Sequence, residues 1–166
     1  MTSTISLRPA GAVDAAALAE LYITSRKAYL PYAPLAHPDE DVRQWIAEIL
    51  IPGSHVVVAD LHGMILGFIA TSRHDGFGWI DQLYIRPGAV DQGIGSLLLR
   101  HALTDLPRPV RLYTFQPNSG ARRFYERFGF TAIAYSDGHD NEERCPDVLY
   151  ELAAADAAKD LSENGE

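Results

Sequence analysis

The sequence predicts an α/β fold, a mixed and mostly antiparallel central β-sheet with about four helices packed against it. Three observations point there. Two helix-like stretches open the chain, with apolar residues recurring three and four positions apart. Strand-like segments divided by glycine-bearing turns follow, which reads as antiparallel pairing. The chain then alternates strand and helix twice before two closing strands. That order suits helices layered on one sheet better than a closed barrel or a bundle.

Residues 5–10, ISLRPA, give the first short strand. Residues 14–30 form a helix with Leu18, Leu21, Tyr22 and Ser25 along one side, and Asp14 stands where an N-cap belongs. Pro31 and Pro34 end it. Segment 34–50 brings Pro38, early acids and an apolar face of Val42, Trp45, Ile46 and Ile49, a second helix closed by Pro52 and Gly53. Segments 55–60 and 63–73 make a hairpin, and 77–87 a third strand whose neighbours Gly76 and Gly78 predict a turn and a bulge. A helix over 93–104 carries Leu97, Leu98 and His101 at helical spacing, and 109–115 returns as a strand. Residues 118–129 form a short helix with Gly129 at its C-cap, and 130–135 and 147–153 are strands joined by a polar loop. One domain is expected over 1–155, with 156–166 a tail that has little to bury.

Composition narrows the function classes. A formal charge of −8 argues against nucleic-acid or anionic-membrane partners. Cys145 is the only cysteine, so no intrachain disulfide or cysteine cluster forms; without local activation it reads as structural. His55, His62 and His101 lack ligand spacing, and no metal is expected. No stretch reaches the roughly 18 apolar residues of a membrane span. A cytoplasmic protein is the expectation, with a homodimer as the default assembly.

Two places carry chemistry. In VDQGIGSLLLR, 90–100, Gly93 and Gly95 stand where a helix begins. Helix N-termini leave amides unpaired and favour anions, so the glycines make either a packing corner or a path for an oxyanion. No Gly-Lys-Ser/Thr follows, which excludes a P-loop, and the dinucleotide fingerprint is absent. Asn118 is a natural N-cap, and Tyr125 lies seven residues on, about two helical turns, so both can face one side. Tyr125 is either a packing residue or a phenol able to hand over a proton.

Taken together, LYIRPGAVDQGIGSLLL and TFQPNSGARRFYERFGF, the latter matching N-x-x-A-x-x-F-Y-x-x-x-G-F, resemble the GCN5-related N-acetyltransferase (GNAT) superfamily over nearly the whole chain. The resemblance implies a single-domain acyl-CoA N-acyltransferase fold, its sheet splayed in the middle. It implies acetyl transfer from acetyl-coenzyme A to a primary amine of a small molecule or peptide by direct attack in a ternary complex. The amides of Gln92, Gly93, Ile94, Gly95 and Ser96 would hold the pyrophosphate, backbone near Leu83 and Ile85 would pair with the pantetheine arm, and Asn118 would touch that arm or order the loop. Tyr125 would protonate the departing thiolate. Asp81 is the leading general base, with Glu20, Asp137, His139 and Glu142 as rivals. Tyr29, Tyr32, His139 and Glu142 are candidates for binding the amine, alongside Leu35 and His37.

Two departures stand out. The family favours Gln or Arg where this chain has Val90, and often Gly at Asp91, whose carboxylate is adverse beside an anion. They support an alternative, a non-catalytic acyl-coenzyme A-binding or regulatory module of the same fold.

Overall fold

The computed structural model describes residues 4–154; the predicted tail at 156–166 lies outside them. Seven strands form one sheet in the order β1-β2-β3-β4-β5-β7-β6. They are β1 Ser6–Pro9, β2 His55–Leu61, β3 Met64–His74, β4 Phe77–Ile85, β5 Val110–Phe115, β6 Thr131–Ser136 and β7 Asp147–Leu152. The helices are α1 Ala15–Tyr29, α2 Asp39–Trp45, α3 Ile51–Gly53, α4 Ile94–Asp105 and α5 Ser119–Arg127. A π turn, Ile46–Leu50, joins α2 to α3, so the second predicted helix is one continuous run.

Among the described strands only β4 and β5 pair in parallel; the other neighbours are antiparallel. Both faces are covered, so β2 and β3 read as nearly unbroken apolar runs. Val57 and Ile69 face the cluster under α4, with Ile94, Leu98, Leu99 and Leu112. Val56, Val58, Phe68 and Ala70 face the other cluster, with Leu18, Leu21, Val42 and Ile46. Leu98 has no accessible surface, and Leu98→Ala would cost about 2–5 kcal/mol in stability.

Three local expectations need correction. Asp14 makes no side-chain cap to α1; it accepts from the Gly11 amide at 2.8 Å and from Arg8 at 2.9 and 3.0 Å. A buried carboxylate gains more from a guanidinium than from one amide. Ile49 is 61% exposed while Leu50 is buried, because the π turn widens the helix and keeps the inner row on Val42, Ile46 and Leu50. On α4, Leu98, Leu99 and Ala102 are buried, and Leu97 and His101 face out. Choosing Leu97 among three adjacent leucines placed the stripe one residue early.

Candidate functional site

The parallel pair β4–β5 is registered only at Gly78↔Val110 and Trp79↔Arg111. Beyond it β4 stays paired to β3 as far as Ile85, and β5 to β7 as far as Phe115. The two strands therefore part, leaving backbone edges open between them. A slot of about 110 Å³ fills the gap, lined by Asp81, Leu83, Tyr113, Phe115, Asn118 and Tyr125. A cleft of about 540 Å³ adjoins it, sharing Leu83, Asn118 and Tyr125 and reaching to the start of α4.

The α4 mouth is built from backbone. Gly88, Asp91 and Gly93 have φ of 92°, 63° and 80°, in the left-handed region. Alternating hands turns successive amides toward one side, a concavity suited to anions. Leu97 N–H donates to the Gly93 carbonyl at 3.1 Å, so the amides of Ile94, Gly95 and Ser96 precede the helix's own bonds. The glycines do different jobs. A Cβ at Gly93 meets nothing within 4 Å, so its backbone conformation is what calls for glycine; a Cβ at Gly95 would stand 3.5 Å from the Phe124 ring.

Gly93, Ile94, Gly95 and Ser96 line the cleft, as do Val90 and Asp91. Gln92 does not: it is exposed and its side chain donates to the Gly88 carbonyl at 3.4 Å. Leu83 and Ile85 line the cleft as expected, but one lone pair of the Ile85 carbonyl is taken by the Ser25 hydroxyl at 3.3 Å. Ser25 sits on the buried side of α1 and had no signal beyond that.

Asn118 caps α5, accepting from the Ala121 amide at 3.3 Å. Tyr125 is 7% exposed, packed edge-on against Phe124 and Phe130, and lines both slot and cleft. Burial pushes its phenol well above the ordinary value, with Tyr84 adding to the shift, so it stays protonated.

Asp81 owes its place to a bulge. Ala70 faces Gln82 while Thr71 faces Ile80, so Asp81 is the extra residue on β4. The bulge lies beyond Gly78, not at Gly76 or Gly78, because the strand bends where β5 leaves it. Asp81 keeps accessible surface, yet the slot withholds enough water that burial raises its carboxyl above the ordinary value, against smaller opposing effects from Ser72 and His74.

The rival bases fall elsewhere. Glu20 pairs with Arg43 at 2.9 Å on the outer face of α1, and Asp137 caps the His139 amide at 2.9 Å. Tyr29 lines the cleft that reaches the α4 mouth, and Tyr32, 40% exposed, lines neither the slot nor that cleft. Tyr29 is the last residue of α1 and keeps much of its surface exposed. His139 and Glu142 border an outer hollow with His37; Glu142 also reaches a second cavity with Leu35, Tyr22 and Trp45. Cys145 is buried, which raises its thiol. Among the described residues no group of three His, Cys, Asp or Glu is placed to hold a metal, and no helix is long and apolar enough to cross a membrane.

Comparison with known proteins agrees with this geometry. The chain is 34% identical over 100 residues to mycothiol acetyltransferase of Thermomonospora curvata, 57% of this chain and 34% of that protein. It is 30% identical over 133 residues to N-acetylaspartate synthetase of Mus musculus, 75% of this chain and 44% of the relative. It thus spans less than half the length of either. The fold matches that of the PaiA N-acetyltransferase of Thermoplasma acidophilum, solved with coenzyme A, at TM-score 0.73 and 21% identity, over 91% of this chain and 99% of that one. Residues 20–130 match the family model described as the acetyltransferase (GNAT) family. With slot, helix mouth and family match in one stretch of chain, this protein belongs to the GNAT acetyltransferase family.

Proposed function

We propose that this chain transfers the acetyl group of acetyl-coenzyme A to a primary amine, directly and within a ternary complex. The observation that carries the reading is the position of Tyr125, which lines both the parted β4–β5 slot and the cleft ending at the α4 mouth. The residues fit the cosubstrate: the open edge of β4 suits an extended amide-bearing arm, and the free amides of Ile94, Gly95 and Ser96 suit its pyrophosphate.

In this reading Asp81 takes a proton from the incoming ammonium, directly or through water, because an amine with a pKa near about 10.4 must lose it before attack. A β4 backbone N–H near Leu83 steadies the oxyanion, a role worth about 10²–10³ in rate. Tyr125 then donates its proton to the departing sulfur. Its raised value does not disqualify it, since the burial that disfavours phenolate disfavours a thiolate in the same slot.

Asp91 favours a second reading, an acyl-coenzyme A-binding module without turnover, because its carboxylate borders the cleft near the proposed anion site. One assay separates the two. Amine-dependent release of free thiol from acetyl-coenzyme A, with an acetylated amine confirmed by mass, is expected. Thermal stabilisation by acetyl-coenzyme A without thiol release from any amine would select the module.

A further inference from the structure

We infer that the cavity on the α1–α2 side of β4 is the acceptor pocket, and that it takes a linear diamine or polyamine. This rests on the acetyl-transfer reading and adds the substrate class. The cavity holds about 440 Å³ and is lined by Tyr22, Trp45, Gln82, Asp41 and Glu142. Gln82 also lines the β4–β5 slot, so this one residue on β4 borders both spaces. An amine passing Gln82 arrives beside Asp81 and Tyr125.

The chemistry of the walls sets the rest of the molecule. The Tyr22 and Trp45 rings stand 5.8 Å apart at 57°, a partly apolar pair that suits an alkyl chain and whose faces attract a cation. No lysine or arginine lines the cavity. The third acid there, Glu143, is taken by the buried Arg26 at 3.5 Å, and that pairing leaves Asp41 and Glu142 to face the space. Glu142 stands 3.5 Å from the His37 ring nitrogen. Past His37 and Glu142 lies a hollow of about 580 Å³ bordered by Asp140 and Arg144, whose guanidinium donates to the His139 carbonyl at 3.0 Å. A short chain ending in a second ammonium is matched inside the inner cavity, short of Arg144. One ending in a carboxylate there meets Asp41 and Glu142 with no lysine or arginine in the cavity wall to answer it, which makes the selection repulsive as well as attractive.

Three amines built on the same four-methylene chain test this: putrescine, n-pentylamine and δ-aminovalerate, which differ only in the group at the far end. The expected order of kcat/KM is as written, with steps of about tenfold. The double variant Asp41→Asn, Glu142→Gln is expected to lower the putrescine-to-pentylamine ratio by about tenfold. Equal use of the three, a preference for δ-aminovalerate, or an unchanged ratio in the double variant overturns the assignment while leaving acetyl transfer intact. Calorimetric titration of putrescine into the coenzyme A complex separates the two readings. Binding that the double variant weakens, without turnover, upholds the pocket and refutes the transfer; neither binding nor turnover of putrescine refutes the pocket.

Discussion

The two sides of β4 are built by different means. On the coenzyme side the groups proposed to grip the cosubstrate are backbone: amides at the α4 mouth, left-handed turns before it, and an open strand edge. Most of the cleft lining lies between Leu83 and Arg127, with Ser25, Tyr29 and Leu30 added from α1 and its end, and Asn118 and Tyr125 come from one short helix and its cap. On the acceptor side the facing groups are side chains from α1, α2, β4 and the β6–β7 loop. Arg26 ties these together, donating to the Ala33 carbonyl at 2.8 Å and the Tyr84 hydroxyl at 3.3 Å while pairing with Glu143. Amides are the same whatever residue carries them, so the first side absorbs Val90 and Asp91 without losing its donors. The second side has no such reserve, and single substitutions there alter which amine fits. One fold can thus keep its donor while its acceptor changes.

The sharpest way to break this contrast is at Tyr125, the one side chain on which the backbone-built side depends for chemistry. Tyr125→Phe is expected to lower kcat about 100-fold, while the Kd for acetyl-coenzyme A moves by less than about twofold. Single-turnover rates and calorimetry measure the two quantities separately. An unchanged rate when transfer limits turnover would remove the phenol from the mechanism. Gly93→Val should act next most strongly and in the opposite quantity. At φ 80° a β-branched residue is strained by about 1–2 kcal/mol, and relieving the strain turns the mouth amides away. Acetyl-coenzyme A should bind about tenfold more weakly. Nothing lies within 4 Å of a Cβ there, so equal binding in variant and parent would show that the mouth amides do not hold the cosubstrate.

The same contrast explains what the sequence made legible. Strands, helices and their order followed from periodicity, and the Asn118 cap and Gly129 stop from residue type. The coenzyme side was readable because its pieces are local: a glycine corner and one helix motif. The acceptor side was readable only in part: Leu35, His37 and Glu142, named from their loops, line its cavity, but Tyr22, Trp45 and Gln82 look like core or strand residues until α1, α2 and β4 come together. Tyr29 and Tyr32, named from the same loop, do not line that cavity, since chain proximity does not say which way a side chain turns after a helix ends. Likewise the bulge at Asp81 has no local signature, because it arises from the mismatch between β3 and β4 as β5 departs.

Asp81 sits where the two sides meet, and the smallest expected effect tests it. Burial raises its carboxyl in the folded protein, so the folded state holds that proton more tightly than the unfolded chain does. Its contribution to stability is therefore fully present below the unfolded value, near about 3.9, and is lost as pH rises through the raised folded value. Asp81→Asn does not titrate. It should melt above the parent at neutral pH, with the difference shrinking as the solution is acidified. If it is also the base, the acidic limb of the parent's kcat/KM profile should lie above the usual carboxylate range and vanish in the variant. A melting difference that stays flat with pH would mean that water reaches the carboxylate freely. A retained acidic limb would pass the role of base to another group, and the junction between the two cavities would then be one of shape alone.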